Sequence, residues 1–241
     1  MREGGRRLAA VIQALKEKTE PGVATRQLDR LAYRLIHGAG AKPAFLRYRP
    51  AGARHAYPYT LCISLNDVVV HGQPSGRVIA DGDLVKLDLG LVYGGLYVDA
   101  AVTVAVGAPG RREEKLVNAT KEALKAGIAA ARPGSTLGDI GAAIEKTVRK
   151  HRFTVAEGLT GHGIGRALHE EPTVWNFGKP GSGAKLVPGM TLAIEPMVAA
   201  GGGELRQLLD ESWGTADGSP AAHFEHTIAV TQEGPLVLTE I

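Results

Sequence analysis

The sequence passes through one order of predicted elements twice, and this repeat most constrains the fold. Each pass has two amphipathic helices separated by a Pro-Gly break, then a His-Gly dipeptide and two apolar strands that each carry a carboxylate. The repeat is roughly one hundred residues long and occurs only twice, which is unlike a solenoid. We therefore predict an α+β fold in one domain over 1–241, with pseudo-two-fold duplicated halves at 1–107 and 108–241.

The first pair of strands is predicted to form a hairpin that carries two carboxylates. Residues 84–87 predict a strand that leads to Asp88. The glycine pair Gly94-Gly95 predicts a hairpin turn, and residues 96–106 predict a returning strand with Asp99. Two such acids are usually solvated on a surface hairpin. If they are buried instead, they require a proton or a cation. The second half again has two strands that each carry a carboxylate, and this recurrence favours burial.

Composition excludes several classes of protein. The chain has 241 residues, of which 44% are hydrophobic and 22% charged, as in an ordinary globular domain. The net charge of +3 comes without a basic run interleaved with aromatic residues, so we expect no binding to DNA. A single cysteine, Cys62, excludes an internal disulfide and suits a reducing compartment. The start lacks a signal-peptide core and no apolar run reaches about 18 residues, which predicts a cytoplasmic protein away from membranes.

The strand pairs and the second His-Gly dipeptide carry five oxygen or nitrogen ligands, namely Asp88, Asp99, His162, Glu195 and Glu225. If they converge, up to four negative charges share one place, and this requires protons or metal. A donor set without thiolate suits a pair of divalent Mn, Fe, Co or Zn ions, and such a pair generates a bridging hydroxide and polarises a carbonyl. This chemistry predicts a hydrolase, with His71 and His169 as an outer pair that acts on substrate.

Three side chains near these positions are predicted to be structural. His223 and His226 flank Glu225, and we expect both to point to the opposite face of an alternating strand. Cys62 lies in an apolar Leu-Cys-Ile run, where a small core residue is more frequent than a nucleophile.

Five sequence blocks resemble those of a known enzyme family. They are VVVHGQP at 68–74, KLDLGLVYGGLYVDAAVT at 86–103, GHGIGRALHEEP at 161–172, AIEPM at 193–197 and FEHTIAVT at 224–231. In order and spacing they resemble type I methionine aminopeptidases, the pita-bread metallopeptidases, over nearly the whole chain. The resemblance implies a central curved antiparallel sheet covered by helices. It also implies removal of N-terminal methionine from nascent proteins and peptides when the second residue is small, by attack of a metal-bridged hydroxide on the first peptide bond.

The resemblance further implies a role for each candidate residue. Two divalent ions (Co, Mn, Fe or Zn) would be held by the five ligands above, with Asp99 and Glu225 as the bridging carboxylates. Glu195 would also shuttle the proton of the hydroxide, His71 would contact the substrate near its N-terminal residue, and His169 would stabilise the oxyanion. The pocket for the methionine side chain would be formed by Phe45, Tyr48, Tyr57, Cys62, Leu168 and Trp213.

The resemblance also carries expectations about partners and shows departures. The partners would be nascent polypeptide N-termini and the ribosome, the chain would be a monomer, and a monovalent cation would bind near Asn66. The loop RPAGARHA at 49–56 is longer than usual for the family. Leu168 stands where an aromatic residue is usual, and Ala221 and His223 stand where serine and glutamine are usual.

Three other functions are compatible with parts of the pattern. Proline-specific aminopeptidases and creatinase-type amidinohydrolases share the implied fold, but they usually add an N-terminal domain for which we expect no room here. A catalytically silent binding module on the same fold typically loses metal ligands, whereas all five are present in this sequence.

Overall fold

The strand pairs of the two halves meet in one antiparallel sheet. The computed structural model describes residues 1–49 and 52–240. The predicted loop at 49–56 and the predicted domain end at 241 therefore fall partly outside the described residues. The predicted α+β pita-bread fold, with a curved antiparallel sheet and covering helices, is confirmed by this architecture and by the structural neighbours reported below.

Helices and strands have the following bounds in the described ranges. The helices are α1 (Arg2–Glu17), α2 (Thr25–Gly38), α3 (Arg111–Ala130) and α4 (Leu137–Lys150). The strands are β1 (Lys42–Pro43), β2 (Cys62–Leu65), β3 (Val68–Val70), β4 (Leu84–Tyr93), β5 (Leu96–Ala105), β6 (Thr154–Val155), β7 (Thr160–Gly163), β8 (Glu170–Trp175), β9 (Thr191–Ile194), β10 (Met197–Ala199), β11 (Leu205–Gln207), β12 (Trp213–Thr215), β13 (Ala221–His223), β14 (Glu225–Thr231) and β15 (Gly234–Val237).

The main sheet joins strands from both halves of the chain. Its order is β1-β4-β5-β14-β9-β7-β8, with β2 also paired to β4 and β15 also paired to β14. Two smaller sheets, β13-β10-β6 and β11-β12-β3, lie beside it. The central contact between halves is the pairing of β5 with β14, so the carboxylate strands of one half lie next to those of the other.

Each half covers its strands with its own helix pair. The predicted apolar stripe of α1, which includes Leu8 and Leu15, is buried against β4 and β5. The stripe of α4, which includes Ile140 and Ile144, is buried in a second cluster with β9 and β14 residues. This arrangement supports the proposal that the domain consists of two related halves. Among the described helices, none combines the length and the apolar character needed to cross a membrane.

The predicted hairpin has the expected turn. β4 and β5 pair along their full length and are joined by Gly94 and Gly95, which have φ angles of 59° and 78°. Positive φ at two successive positions suits glycine and the right-handed twist of the flanking strands. The returning strand ends one residue before the predicted position 106, at Ala105.

Candidate metal centre

The strand register places three of the five predicted ligands on one face of the sheet. Ala101 of β5 pairs with Asp88 on one side and with Glu225 on the other. Directly paired residues of neighbouring strands point to the same face, as do residues two apart on one strand. Asp99, two residues before Ala101, therefore joins Asp88 and Glu225.

The same argument brings in the other two ligands. Ala193 of β9 pairs with His162 on β7 and with Thr227 on β14. Thr227 lies two residues after Glu225, and Glu195 lies two residues after Ala193. All five side chains therefore share one face, although they come from five separate segments.

Distances confirm that the donor atoms approach one another. One donor atom each from Asp99, His162 and Glu225 lies within 4.8 Å of the others. His162 Nε2 lies 3.6 Å from Glu195 Oε1. Asp88, Asp99 and Glu225 are only 9%, 3% and 2% exposed. Such closeness of buried acids is unfavourable unless a positive charge or protons compensate it.

The pKa values of the four carboxyl groups are raised by this burial and close approach. Burial raises the pKa of Asp99 to about 7. Burial, and then the charge of Asp99, raise the pKa of Asp88 well above its usual range. Burial followed by the neighbouring carboxylates has the same effect on the pKa of Glu195 and of Glu225. The cluster therefore holds protons at neutral pH when no cation is present.

The donor set fits divalent ions. Among the described residues, Asp99 Oδ1 and Glu225 Oε1 are buried without any hydrogen-bond donor. His162 Nδ1 lies 2.9 Å from the Gly163 carbonyl oxygen. That oxygen can only accept, so Nδ1 carries the hydrogen and Nε2 keeps its lone pair toward the carboxylates. Unpartnered carboxylate oxygens and one free imidazole nitrogen, without thiolate, are ligands that suit Mn, Fe, Co and Zn.

A cavity of about 1240 Å³ opens over this cluster. Its lining includes the five ligand residues, both outer histidines and all six residues predicted for the methionine pocket: Phe45, Tyr48, Tyr57, Cys62, His71, Asp88, Asp99, His162, Leu168, His169, Glu195, Trp213 and Glu225. The sequence-predicted residues are thus brought together in one place.

The apolar wall of the cavity is packed closely against the sheet. A Cβ on Gly90, which pairs with Asp99, would lie 2.9 Å from Phe45 Cε1, so the absence of a side chain there lets Phe45 approach the cluster. The Tyr57 hydroxyl lies 2.9 Å from the Gly72 carbonyl oxygen, to which it donates. The Tyr57 N–H donates to the Tyr48 carbonyl oxygen at 2.8 Å, and the Arg47 N–H donates to the Tyr57 carbonyl oxygen at 2.8 Å, so the two ends of the long loop are joined. Despite its added length, the loop therefore leaves both tyrosines in the cavity wall.

The two outer histidines are held in different ways. His71 follows β3 with a φ angle of 61°, a left-handed conformation that is unfavourable for a residue with a side chain and is concentrated at functional sites. The ring of His169 stands edge-on to His162, with 4.4 Å between centroids. Its Nδ1 lies 2.7 Å from the Tyr48 hydroxyl oxygen, a contact that the sequence did not predict.

The prediction that His223 points away from Glu225 is wrong. His223 Nε2 lies 3.3 Å from Glu195 Oε2, and the ring is 1% exposed. The physical reason is simple, because residues two apart on an extended chain point to the same side. His226 does point away, and its Nδ1 contacts the Thr239 hydroxyl at 2.9 Å. Burial, and then the nearby His71 and Lys86, lower the pKa of His223 to about 3, so its ring is neutral.

Lys86 is a second buried residue whose position the sequence did not reveal. Its side chain is 1% exposed, and Nζ donates to the Asn66 carbonyl oxygen at 2.7 Å. The same oxygen accepts the Ala221 N–H at 3.0 Å. Both lone pairs of this carbonyl are therefore in use.

The fold and the donor set define a metal-dependent hydrolase as the class of protein. The sequence matches metallopeptidase family M24 over residues 1–232. The chain belongs to this family.

Known relatives lie within the same family. The chain is 41% identical to methionine aminopeptidase 1 of Bacillus subtilis, over 100% of this chain and 95% of that protein. It is 40% identical to the crystal structure of methionine aminopeptidase from Thermotoga maritima, with a TM-score of 0.95 over 100% of this chain and 95% of that one. Prolidase from Pyrococcus furiosus shares the fold at 23% identity and a TM-score of 0.80, and this chain covers 63% of it. The predicted relationship to methionine aminopeptidases is confirmed.

Proposed function

We propose that this chain hydrolyses the first peptide bond of polypeptides that begin with methionine and releases the methionine when the second residue is small. The observation that carries the proposal is the cluster of three buried carboxylates, the part-buried Glu195 and one free imidazole nitrogen in the lining of one cavity. The 41% identity to a methionine aminopeptidase over the whole chain supports the substrate class. Substrates would be nascent polypeptide N-termini.

We further propose that the five cluster residues hold two divalent ions, with Asp99 and Glu225 shared between them. Asp99 lies on a central strand and Glu225 on its neighbour, so both can face two ions at once. When bound, the ions supply Lewis acidity for the scissile carbonyl and a water-derived nucleophile at neutral pH. A monovalent cation near Asn66 stays outside this proposal, because Lys86 and Ala221 already donate to the Asn66 carbonyl oxygen.

Three residues of the cavity would transfer the proton, stabilise the oxyanion and contact the substrate. Glu195 would accept a proton from the nucleophile and return it to the leaving amine. If the Tyr48 hydroxyl donates to His169 Nδ1, the other ring nitrogen carries a hydrogen that can be donated to the oxyanion. His71, which also lines the cavity, would contact the substrate near its N-terminal residue.

The methionine side chain would lie against the apolar wall formed by Phe45, Cys62 and their neighbours. Cys62 is 5% exposed, and burial raises the pKa of its thiol well above the usual range, so it acts as a small apolar contact. An unbranched thioether fits such a surface without any hydrogen-bond partner. We propose that the enzyme works in the cytoplasm as a monomer on chains leaving the ribosome.

A comparison of three peptide types tests the proposed activity. We expect release of the first residue from Met-Gly-Xaa but not from Met-Leu-Xaa or Xaa-Pro peptides. Activity should disappear with a chelator and return on addition of Mn, Co or Fe. Without metal the ligand cluster is neutralised by protons, which supply neither the Lewis acidity nor the nucleophile. Amino-acid release followed by chromatography is the measurement. Preferential cleavage of Xaa-Pro would favour a proline-specific enzyme, and metal binding without any cleavage would favour a silent binding module.

His169→Ala is expected to lower kcat about a hundredfold or more, because one donor to the oxyanion is removed. KM for Met-Gly-Xaa should change little, since the interaction develops in the transition state. Steady-state kinetics on metal-saturated protein measures both. An effect confined to KM would contradict the assigned role.

Tyr48→Phe is the matched control for this variant. It keeps the ring in the cavity wall and removes only the hydroxyl that contacts His169 Nδ1. We expect a smaller loss of kcat, roughly three- to thirtyfold, because the imidazole remains but its tautomer and orientation are no longer fixed. A loss as large as that of His169→Ala would indicate that the tyrosine itself contacts the reacting atoms.

A further inference from the structure

The face of Glu195 that points away from His162 is occupied by a buried imidazole. His223, the last residue of β13, lies with its Nε2 3.3 Å from Glu195 Oε2. Among the described residues, neither of its ring nitrogens has a hydrogen-bond partner. A buried polar group without a partner is unfavourable, so a ring retained in this position calls for an explanation.

The position of this ring is fixed by its backbone. The His223 N–H donates to the Thr103 hydroxyl oxygen at 2.9 Å, and that hydroxyl donates back to the His223 carbonyl oxygen at 2.7 Å. On its other side, His223 pairs with Met197 of β10. The backbone is thus held by two strands, and because the residue is only 1% exposed, close packing leaves the ring little room to turn away from Glu195.

Glu195 consequently lies between two imidazoles, one on each oxygen. Oε1 is 3.6 Å from His162 Nε2, the nitrogen that is free to bind metal, and Oε2 is 3.3 Å from His223 Nε2. Oε1 thus faces His162 and Oε2 faces His223, whose donor atom also lies within 4.8 Å of one from Glu225. Within the described residues, the Asn176 amide donates to the Glu195 backbone carbonyl oxygen at 3.0 Å, and no side-chain hydrogen bond reaches the carboxylate. His223 is the group placed to orient its carboxylate.

We propose that His223 is a positioning residue for the metal centre. In the metal-bound protein its Nε2 would donate to Glu195 Oε2, 3.3 Å away, and would hold Oε1 on the side of His162, where an ion would bind. Outer partners of this kind orient metal ligands, and their loss typically weakens metal affinity about 10- to 100-fold. A glutamate needs such help more than an aspartate does, because its side chain has one more rotatable bond. This inference depends on the metal binding proposed above.

Divalent-ion affinity of three variants, measured by calorimetric titration of the chelator-treated full chain with Mn²⁺, tests the proposal. His223→Leu removes the donor and should weaken the tightest Mn²⁺ site about 10- to 100-fold. His223→Gln keeps an N–H at similar reach and should bind Mn²⁺ within about threefold of wild type. His226→Gln is the matched control. Its ring contacts Thr239 on the other side of the strand, so affinity should not change.

Two results would overturn the role of His223. One is unchanged Mn²⁺ affinity in a folded His223→Leu variant. The other is a His223→Gln variant as weak as His223→Leu, which would mean that the imidazole binds the ion directly. If His223→Leu does not fold, His223→Asn replaces it, since its shorter amide does not reach Oε2 and the same loss is expected. Failure of wild type itself to bind Mn²⁺ would instead contradict the proposed metal dependence.

Discussion

We expect Asp99→Asn and Glu225→Gln each to reduce kcat by at least about a thousandfold while the protein still folds. Both substitutions keep the size of the side chain and remove one charge from the place where two ions are proposed to share ligands. Loss of a shared carboxylate weakens both ions, so Lewis acidity and the nucleophile are lost together. A thousandfold reduction corresponds to about 4 kcal/mol of transition-state stabilisation. The measurement is kcat for a Met-Gly-Xaa peptide at saturating Mn²⁺, with bound metal determined in the same sample.

Asp139→Asn provides the comparison for these variants. Asp139 accepts hydrogen bonds from Thr136 at the start of α4 and has no place in the cavity. Its substitution removes the N3 acceptor of the capping box, so it should lower the stability of the protein and leave kcat unchanged. Full activity in Asp99→Asn or in Glu225→Gln would show that the two carboxylates are not shared ligands.

Metal-free Asp99→Asn is expected to be more stable than metal-free wild type at pH 8, and this order should reverse when Mn²⁺ is added. Burial raises the pKa of Asp99 to about 7 in the folded protein, so folding retains a proton that the unfolded chain releases near pH 4. A raised carboxyl pKa means that stability is lost as pH rises through the folded pKa. Asparagine carries no such charge. Added Mn²⁺ stabilises wild type by binding the folded state, and the variant lacks one of its ligands.

The pH range over which stability changes in the metal-free protein also depends on the other buried titratable groups. Burial lowers the pKa of His162 and His223, and a lowered histidine pKa contributes stability that is lost as pH falls below about 6.5. This opposes the carboxylates in acid. Burial also lowers the pKa of Lys86 to about 7, and this opposes the carboxylates above that pH. Lys86 is common to both proteins, so the Tm gain of Asp99→Asn over wild type should grow up to about pH 7 and hold from there to pH 8.

Thermal unfolding of the two proteins at several pH values measures this difference. At pH 8 we expect a Tm gain of at least about 3 °C for metal-free Asp99→Asn. Asp217→Asn serves as the control. Hydrogen bonds from Ser219 and Gly202 lower the pKa of this exposed carboxyl to about 2, so its removal should give no gain. If metal-free Asp99→Asn is no more stable than metal-free wild type at any pH, the account of unfavourable carboxylate burial in the metal-free cluster is contradicted.

The sequence predicted those parts of the site that depend on local pattern. Strand alternation and the turn at Gly94 and Gly95 are properties of short segments, and they place Asp88 and Asp99 on one face before any tertiary contact is known. Convergence of the two halves was predictable for a different reason. The predicted duplication implied that the second strand pair, with Glu195 and Glu225, would be arranged like the first.

The missed contacts are those that join distant segments. Tyr48 and His169 are 121 positions apart, and nothing in either neighbourhood indicates that a hydroxyl will meet an imidazole. Lys86 interrupts an apolar strand, but the backbone carbonyl that accepts its hydrogen bond lies in another turn. His223 is different, because its spacing of two from Glu225 already indicated a shared side. The stretch from Ala221 to Glu225 changes from β13 to β14, yet the alternation continues across the break.

The central claim is that two divalent ions share Asp99 and Glu225 inside one buried cluster. Crystals grown with Mn²⁺ and measured at the manganese absorption edge test it most directly. We predict two anomalous peaks per chain in the cavity, both in contact with Asp99 and Glu225, and the loss of at least one peak in Asp99→Asn. A single peak, or two peaks bound at separate surfaces, would contradict the account.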